Sequence, residues 1–242
     1  EITLRLMEDI GLKTFIISKD TTEQQISDFL VRNKELFSQG KSIAFVVRKN
    51  AFNYISENKY KNNYQVYRED YIKEIVKIAD KDIIISTTGK TSRELFEIRE
   101  KSQQSHQFDF LTVGSMGHSS SIALGIALCK PKSKIWCIDG DGAALMHLGA
   151  MAVIGASQPK NFIHIVINNN AHESVGGMPT VIDKVNLVNI AKSCGYQQAI
   201  SIDSINDFNE ALQEAKKSNI LYFIEAKAAI GSRDDLGRPT TS

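Results

Sequence analysis

The 242 residues are enough for one large domain, or for one domain and part of another. Hydrophobic residues make up 42% and charged residues 24%, the balance of an ordinary globular chain. The formal net charge of +1 creates no global field for nucleic acid or an acidic membrane, and no apolar run approaches the roughly 18–20 residues that span a bilayer.

The first elements alternate simply. The chain starts without Met and in mid-helix pattern, which reads as a fragment or as the remainder of a longer polypeptide, and no basic-then-apolar signal opens it. "ITLRLMEDIG" looks like a helix end stopped by Gly11, "KTFIIS" like a strand, "TEQQISDFLVRNKELFSQG" like a helix, and "SIAFVVRKN" like a second strand. Residues 1–55 thus read as part of one α/β domain. The aperiodic, Asn-, Lys- and Tyr-rich stretch that follows places a linker at 56–68.

A second alternating series fills 69–242. It contains a helix near 69–79, strand "DIIISTT", helix "TSRELFEIRE", the turn "GSMGHSS" and the small-residue helix "SSIALGIALCK". Strand "KIWCID", one helix "AALMHLGAMAVIGAS" and strand "FIHIVIN" come next, then helices "KVNLVNIAKSCG" and "SINDFNEALQEAKKS" and strand "LYFIEAKA". Apolar strands alternating with helices predict an α/β fold, a mainly parallel sheet with helices on both faces. The cysteines Cys129, Cys137 and Cys194 are odd in number and lack metal-type spacing, so they read as reduced core thiols of a cytoplasmic protein.

Two strands stop abruptly, one in Gly140-Asp141-Gly142 and the other in Asn169-Asn170. A strand–helix–strand crossover returns the chain in the same direction, so both ends emerge at the carboxyl edge of the sheet, where open α/β sheets bind ligands. Asp141 offers an anionic oxygen, Asn169 an amide oxygen, and the turn after it aims a backbone carbonyl, that of Ala171. Three such oxygens suit octahedral Mg²⁺ with room for phosphate oxygens. Gly140 and Gly142 admit a bulky anion, and the amides of Gly142, Ala143 and Ala144 open the next helix toward it. The pair describes a magnesium-bridged diphosphate site. A dinucleotide site is disfavoured, because Leu145 occupies the third glycine slot of Gly-x-Gly-x-x-Gly.

Gly-Asp-Gly followed after 25 residues by Asn-Asn resembles the signature of thiamine-diphosphate-dependent enzymes. The resemblance implies that Asp141, Asn169 and the Ala171 carbonyl hold Mg²⁺, and that residues 69–242 form the diphosphate-binding domain. Residues 1–55 become the last part of a pyrimidine-binding domain. In "GSMGHSSSIALGIAL", the Gly114 carbonyl would accept from the cofactor's amine and Met116 would wedge its two rings. Thr88 and Gly89 in "STTGKTSRELFEIRE" become diphosphate contacts. The segments "TTGKTSRELFE", "GDGAALMHLGAMAVIG", "NNNAHESVGGMPT" and "GSRDDLGRPTTS" look like the phosphonopyruvate decarboxylases, with the sulfopyruvate decarboxylases as the alternative.

The implied reaction turns 3-phosphonopyruvate into phosphonoacetaldehyde and carbon dioxide, a step in phosphonate biosynthesis. His172, Glu173, Ser174 and His118 are the candidates for proton relay or substrate contact, although the pyruvate decarboxylases carry a glutamate where this chain has Val175. A phosphonate wants Arg or Lys, and Lys90, Arg93, Arg233 and Arg238 lie in segments able to reach the sheet edge. His147 and His164 read as packing histidines. The cofactor-activating glutamate of the family maps to no residue of this chain. The expected assembly is a homodimer or homotetramer with the site at a subunit interface and no nucleic-acid or membrane partner. A non-catalytic nucleotide-binding subunit is the rival from another class.

Overall fold

The computed structural model describes residues 2–53, 60–237 and 239. The chain forms two compact units, residues 1–58 and 59–242. In the first, α1 (Ile2–Asp9), β1 (Lys13–Ile17), α2 (Glu23–Arg32), α3 (Lys34–Ser38) and β2 (Ile43–Val47) build a two-stranded parallel sheet. Phe15, Phe29 and Phe45 pack their rings together with centroids 5.0–6.1 Å apart, giving α2 a reason to lie on the strands. Thr22 and Gln25 close a capping box at the start of α2. The expected single helix breaks at Asn33, whose side chain donates to the Phe29 carbonyl at 2.7 Å and competes with the helical ladder.

The second unit holds the large sheet. Its elements are α4 (Arg68–Ala79), β3 (Ile83–Ser86), α5 (Lys90–Lys101), β4 (Asp109–Leu111), α6 (Ser119–Cys129), β5 (Ile135–Gly140), α7 (Asp141–Met146) and α8 (Gly149–Ser157). They continue with β6 (Phe162–Asn168), β7 (Ala171–His172), β8 (Met178–Pro179), α9 (Leu187–Cys194), β9 (Gln198–Ile202), α10 (Ile205–Lys217) and β10 (Tyr222–Lys227). Six parallel strands run in the order β4-β3-β5-β6-β10-β9. Period-two alternation sorts their side chains. Trp136, Ile138, Ile163, Ile165 and Ile224 pack on the α4, α5 and α10 side. Ile135, Cys137, Phe162, Val166 and Phe223 pack on the α6, α8 and α9 side. Burial on both faces is why the central strands read as continuous apolar runs.

The structure changes several local expectations. The single helix after Gly140 is two, α7 and α8, separated by His147 and Leu148. β4 and β9 are strands that the sequence did not announce. Each lies at a sheet edge, where half-exposed positions dilute the apolar pattern. Of the three thiols only Cys137 is fully buried, and Cys129 is exposed. Residues 60–67, inside the expected linker, are bonded to the second unit: Asn62 donates to the carbonyls of Asn169 and Ala228, both at 2.9 Å.

Candidate cofactor and metal site

β5 and β6 are neighbours, with Gly140 opposite Ile167, so their carboxyl ends lie side by side. A cleft opens there, lined among others by Asp141, Asn169 and Ala171, which the two strand-end motifs bring to one place, and by Met116 from the turn before α6. Asp141 is 3% exposed and accepts a 2.6 Å hydrogen bond from Thr180 Oγ1. Burial pushes its carboxyl above the usual range, against the pull of Thr180 and the local amides.

The turn after β6 is built from asparagine chemistry. Asn170 sits in the left-handed region at φ 60, which an asparagine tolerates. The Asn168 and Asn169 side-chain oxygens accept from the amides of Asn170 and Ala171, each at 3.1 Å. Thr180 closes the loop from the other side, donating its amide to the Asn170 carbonyl at 2.9 Å. β7 and β8 then pair antiparallel and hold the intervening segment as a hairpin.

One carboxylate organises the cleft wall. Glu173 accepts from Arg68 Nη1 at 2.5 Å, Asn169 Nδ2 at 2.6 Å, the Gly231 amide at 3.0 Å and Lys90 Nζ at 3.4 Å. Arg68 in turn forks onto Glu94 with two 2.7 Å bonds. Burial pushes Glu173 up, but Arg68 and Lys90 outweigh it and hold the carboxyl below its ordinary value. Burial also pushes Glu94 up, and there Arg68 only partly offsets it.

The cleft lining contains Thr88, Lys90, Met116, Gly140, Asp141, Gly142, Ala143, Asn169, Ala171, His172, Glu173 and Ser174 from the sequence reading. Gly89, at φ 95, caps α5 beside it, where an added Cβ would lie 4.0 Å from that of Ser174. Gly114 stands back from the lining, its amide donating to Thr88 Oγ1 at 3.0 Å. His118 also lies outside it, exposed, with its ring 4.1 Å from that of His147. His147 is itself exposed, which corrects its reading as a packing histidine. Arg93 is half-buried on α5 and absent from the lining. Arg233 faces three carboxylates, Glu69 at 2.9 Å, Asp235 at 2.7 Å and Glu97, instead of the cleft. Arg238 lies outside the described residues.

Sequence reasoning missed Arg68, Thr87, Thr91 and Thr180. No local pattern marks Arg68, whose partners lie 26 and 105 residues away. Thr180 stood within the quoted "NNNAHESVGGMPT" but carried no signal of its own.

The residues fit a magnesium-bridged diphosphate. Asp141 and Asn169 give oxygen donors of the right hardness, and Thr87 Oγ1 is buried in the lining with no partner among the described residues. Gly142 leaves a space that a Cβ would fill, since that atom would meet the His172 ring at 2.5 Å and Met116 at 3.2 Å.

Comparison with known proteins gives the family of the chain. Residues 87–226 match the family described as thiamine pyrophosphate enzyme, C-terminal TPP binding domain. The chain belongs to that family. It is 38% identical over 156 residues to a phosphonopyruvate decarboxylase of Streptomyces viridochromogenes, covering 64% of this chain and 38% of that protein. It is 39% identical over 162 residues to a sulfopyruvate decarboxylase subunit beta of Methanocaldococcus jannaschii, covering 66% of this chain and 82% of that subunit. The chain thus spans well under half of the first relative. The solved benzoylformate decarboxylase of Polynucleobacter necessarius shares the fold, with TM-score 0.59, 11% identity, and coverage of 78% of this chain and 42% of that one. Among the described residues no helix is long and apolar enough to cross a membrane.

Proposed function

We propose that this chain is the thiamine-diphosphate- and magnesium-binding part of a cytoplasmic 2-keto acid decarboxylase, and that its substrate is 3-phosphonopyruvate. The observation that carries the reading is the meeting of Asp141 and Asn169 in one cleft at the ends of adjacent parallel strands. Asp141, Asn169 and the Ala171 carbonyl hold the metal, and Thr87, Thr88, Gly140, Gly142 and Ala143 shape the space for the diphosphate. When bound, the cofactor supplies an electron sink for the loss of carbon dioxide.

The chain's own residues do the rest. Met116 presents an apolar surface to the cofactor. Glu173, held ionised, fixes Asn169 and Lys90 in place and is a positioning group. His172 is the imidazole of the cleft lining, and its ring nitrogens move the proton that the product needs. Lys90, 27% exposed at its side chain, meets the distal anion of the substrate. In a homodimer or homotetramer of the full-length polypeptide, the pyrimidine-binding domain of a second subunit faces this site.

A specific observation favours a second reading. The sulfopyruvate decarboxylase beta subunit is matched along most of its length, and at nearly the same identity. Carbon dioxide release by the full-length polypeptide, from each substrate with and without thiamine diphosphate and Mg²⁺, tests both. Faster release from the phosphonate is expected, and faster release from the sulfonate would replace that substrate. No cofactor-dependent release from either would refute the enzyme reading. Lys90→Met is expected to raise KM about tenfold or more with a smaller change in kcat. An unchanged KM would remove Lys90 from the substrate site.

A further inference from the structure

Behind the metal loop, in the core covered by α6, α8 and α9, three ligating side chains converge. Cys137 and Asp139 alternate on β5, and His164 stands directly across from Cys137 on β6. All three are 1% exposed or less, and their ligand atoms lie within 4.8 Å of one another. The His164 ring is packed edge-on against Phe162 and Phe223, so the surroundings are apolar.

The hydrogen bonding leaves the centre of this cluster incomplete. His164 Nδ1 is engaged by the Tyr196 hydroxyl at 3.0 Å. Among the described residues its Nε2 has no hydrogen-bond partner, and it stands 3.8 Å from Asp139 Oδ2, beyond bonding distance. Among the described residues the other Asp139 oxygen accepts only the adjacent Gly140 amide, at 3.0 Å. The Ser119 hydroxyl, 0% exposed, faces the Cys137 thiol and has no hydrogen-bond partner among the described residues. A carboxylate in such surroundings is costly without a cation.

We propose that Cys137, Asp139 and His164 form a buried zinc site, with the Ser119 hydroxyl as the fourth group. Thiolate, imidazole and carboxylate are the donors of a borderline-soft divalent ion, unlike the oxygen-only set at Asp141 and Asn169. Tetrahedral zinc, with bonds of about 2.0–2.3 Å, sets its ligand atoms about 3.2–3.8 Å apart, which the cluster reaches by small rotations. The Tyr196 bond to Nδ1 is the outer contact that orients a ligating histidine and frees Nε2 for the metal. Enclosed on every side, the ion enters as the chain folds and leaves when it unfolds. Two sheet strands are thereby tied together directly beneath the cofactor loop.

The test is metal analysis of the full polypeptide, made without a metal-affinity tag in zinc-supplemented medium and passed over chelating resin. About one zinc per chain is expected, released to a chromogenic chelator only on denaturation. Cobalt-grown protein should show thiolate-to-cobalt charge-transfer absorption. Cys137→Ser and His164→Gln should each lower the zinc content about tenfold or more, while Asp141→Asn leaves it unchanged. Less than about half an equivalent of zinc in the wild type, or full zinc in Cys137→Ser, overturns the site. If the variants do not fold, the wild-type stoichiometry and the cobalt spectrum decide alone.

Discussion

Asn169 donates its side-chain amide to Glu173 at 2.6 Å, so the first residue past β6 is oriented by a carboxylate four positions further on. The same carboxylate anchors the Gly231 amide of the C-terminal segment and the Arg68 guanidinium at the start of α4. Three distant stretches of chain are fixed through one side chain.

Glu173→Gln should therefore act on stability and on the metal together. A glutamine has one acceptor oxygen for four donors, and its own amide hydrogens face Arg68 or Asn169. The expected loss is about 2–3 kcal/mol of unfolding free energy in urea, with weaker Mg²⁺ binding by calorimetry. Arg68→Met leaves Glu94 and Glu173 buried without their main cation and should cost more, about 3–5 kcal/mol. An Arg68→Met protein as stable as wild type would show that the network contributes nothing.

Thr180→Val removes the side-chain donor to Asp141 with little change in volume. The carboxylate loses its 2.6 Å partner and becomes free to turn. The metal-dependent cofactor Kd should rise about five- to tenfold, corresponding to roughly 1 kcal/mol. Equal affinities for wild type and variant would place the orientation of Asp141 elsewhere.

Two glycines separate a cleft effect from a packing effect. At Gly142 an added methyl meets the His172 ring at 2.5 Å, a side chain that can rotate away. Gly142→Ala should fold and lose cofactor affinity. At Gly155 the added methyl lies 1.8 Å from the Cys194 carbonyl oxygen, a backbone atom between α8 and α9 that cannot turn aside. Gly155→Ala should cost about 3 kcal/mol or prevent folding. Thermal melts beside cofactor titrations give both answers, and the opposite ranking would contradict the packing.

The C-terminal segment should loosen in acid. Hydrogen bonding from Arg233 holds the Glu97 carboxyl below its ordinary value, helped by the Gly237 amide. A depressed carboxyl pKa contributes stability that is complete above the unfolded value of about 4.3 and is lost as pH falls through the folded value. Protease cleavage near residues 231–237 should accelerate below about pH 4, and Arg233→Met should show fast cleavage at neutral pH already. A pH-independent rate in the wild type would exclude Glu97 as the tether.

The sequence showed what local chemistry writes into consecutive residues. β5 and β6 were legible because burial on both faces makes them unbroken apolar runs, and their ends because Gly-Asp-Gly and Asn-Asn interrupt those runs. The edge strands β4 and β9 were not, since only some of their positions face the core. The break at His147 was hidden by small residues on both sides that suit a continuous helix. Arg68 and Arg233 exchanged apparent roles. The tail arginine looked free to reach a substrate but is held by Glu69, Glu97 and Asp235, while the arginine at the supposed linker boundary lines the cleft. Ion pairing over a hundred residues of separation leaves no trace in spacing.

The charged groups on the cleft wall cancel, Arg68 and Lys90 against Asp141 and Glu173. A polyanion approaching alone gains no net attraction, and a lone divalent ion meets a single carboxylate already bonded to Thr180. Each solute becomes welcome only in the company of the other. Their binding curves should therefore be linked, the concentration of one setting the apparent affinity for the other by the same factor in both directions.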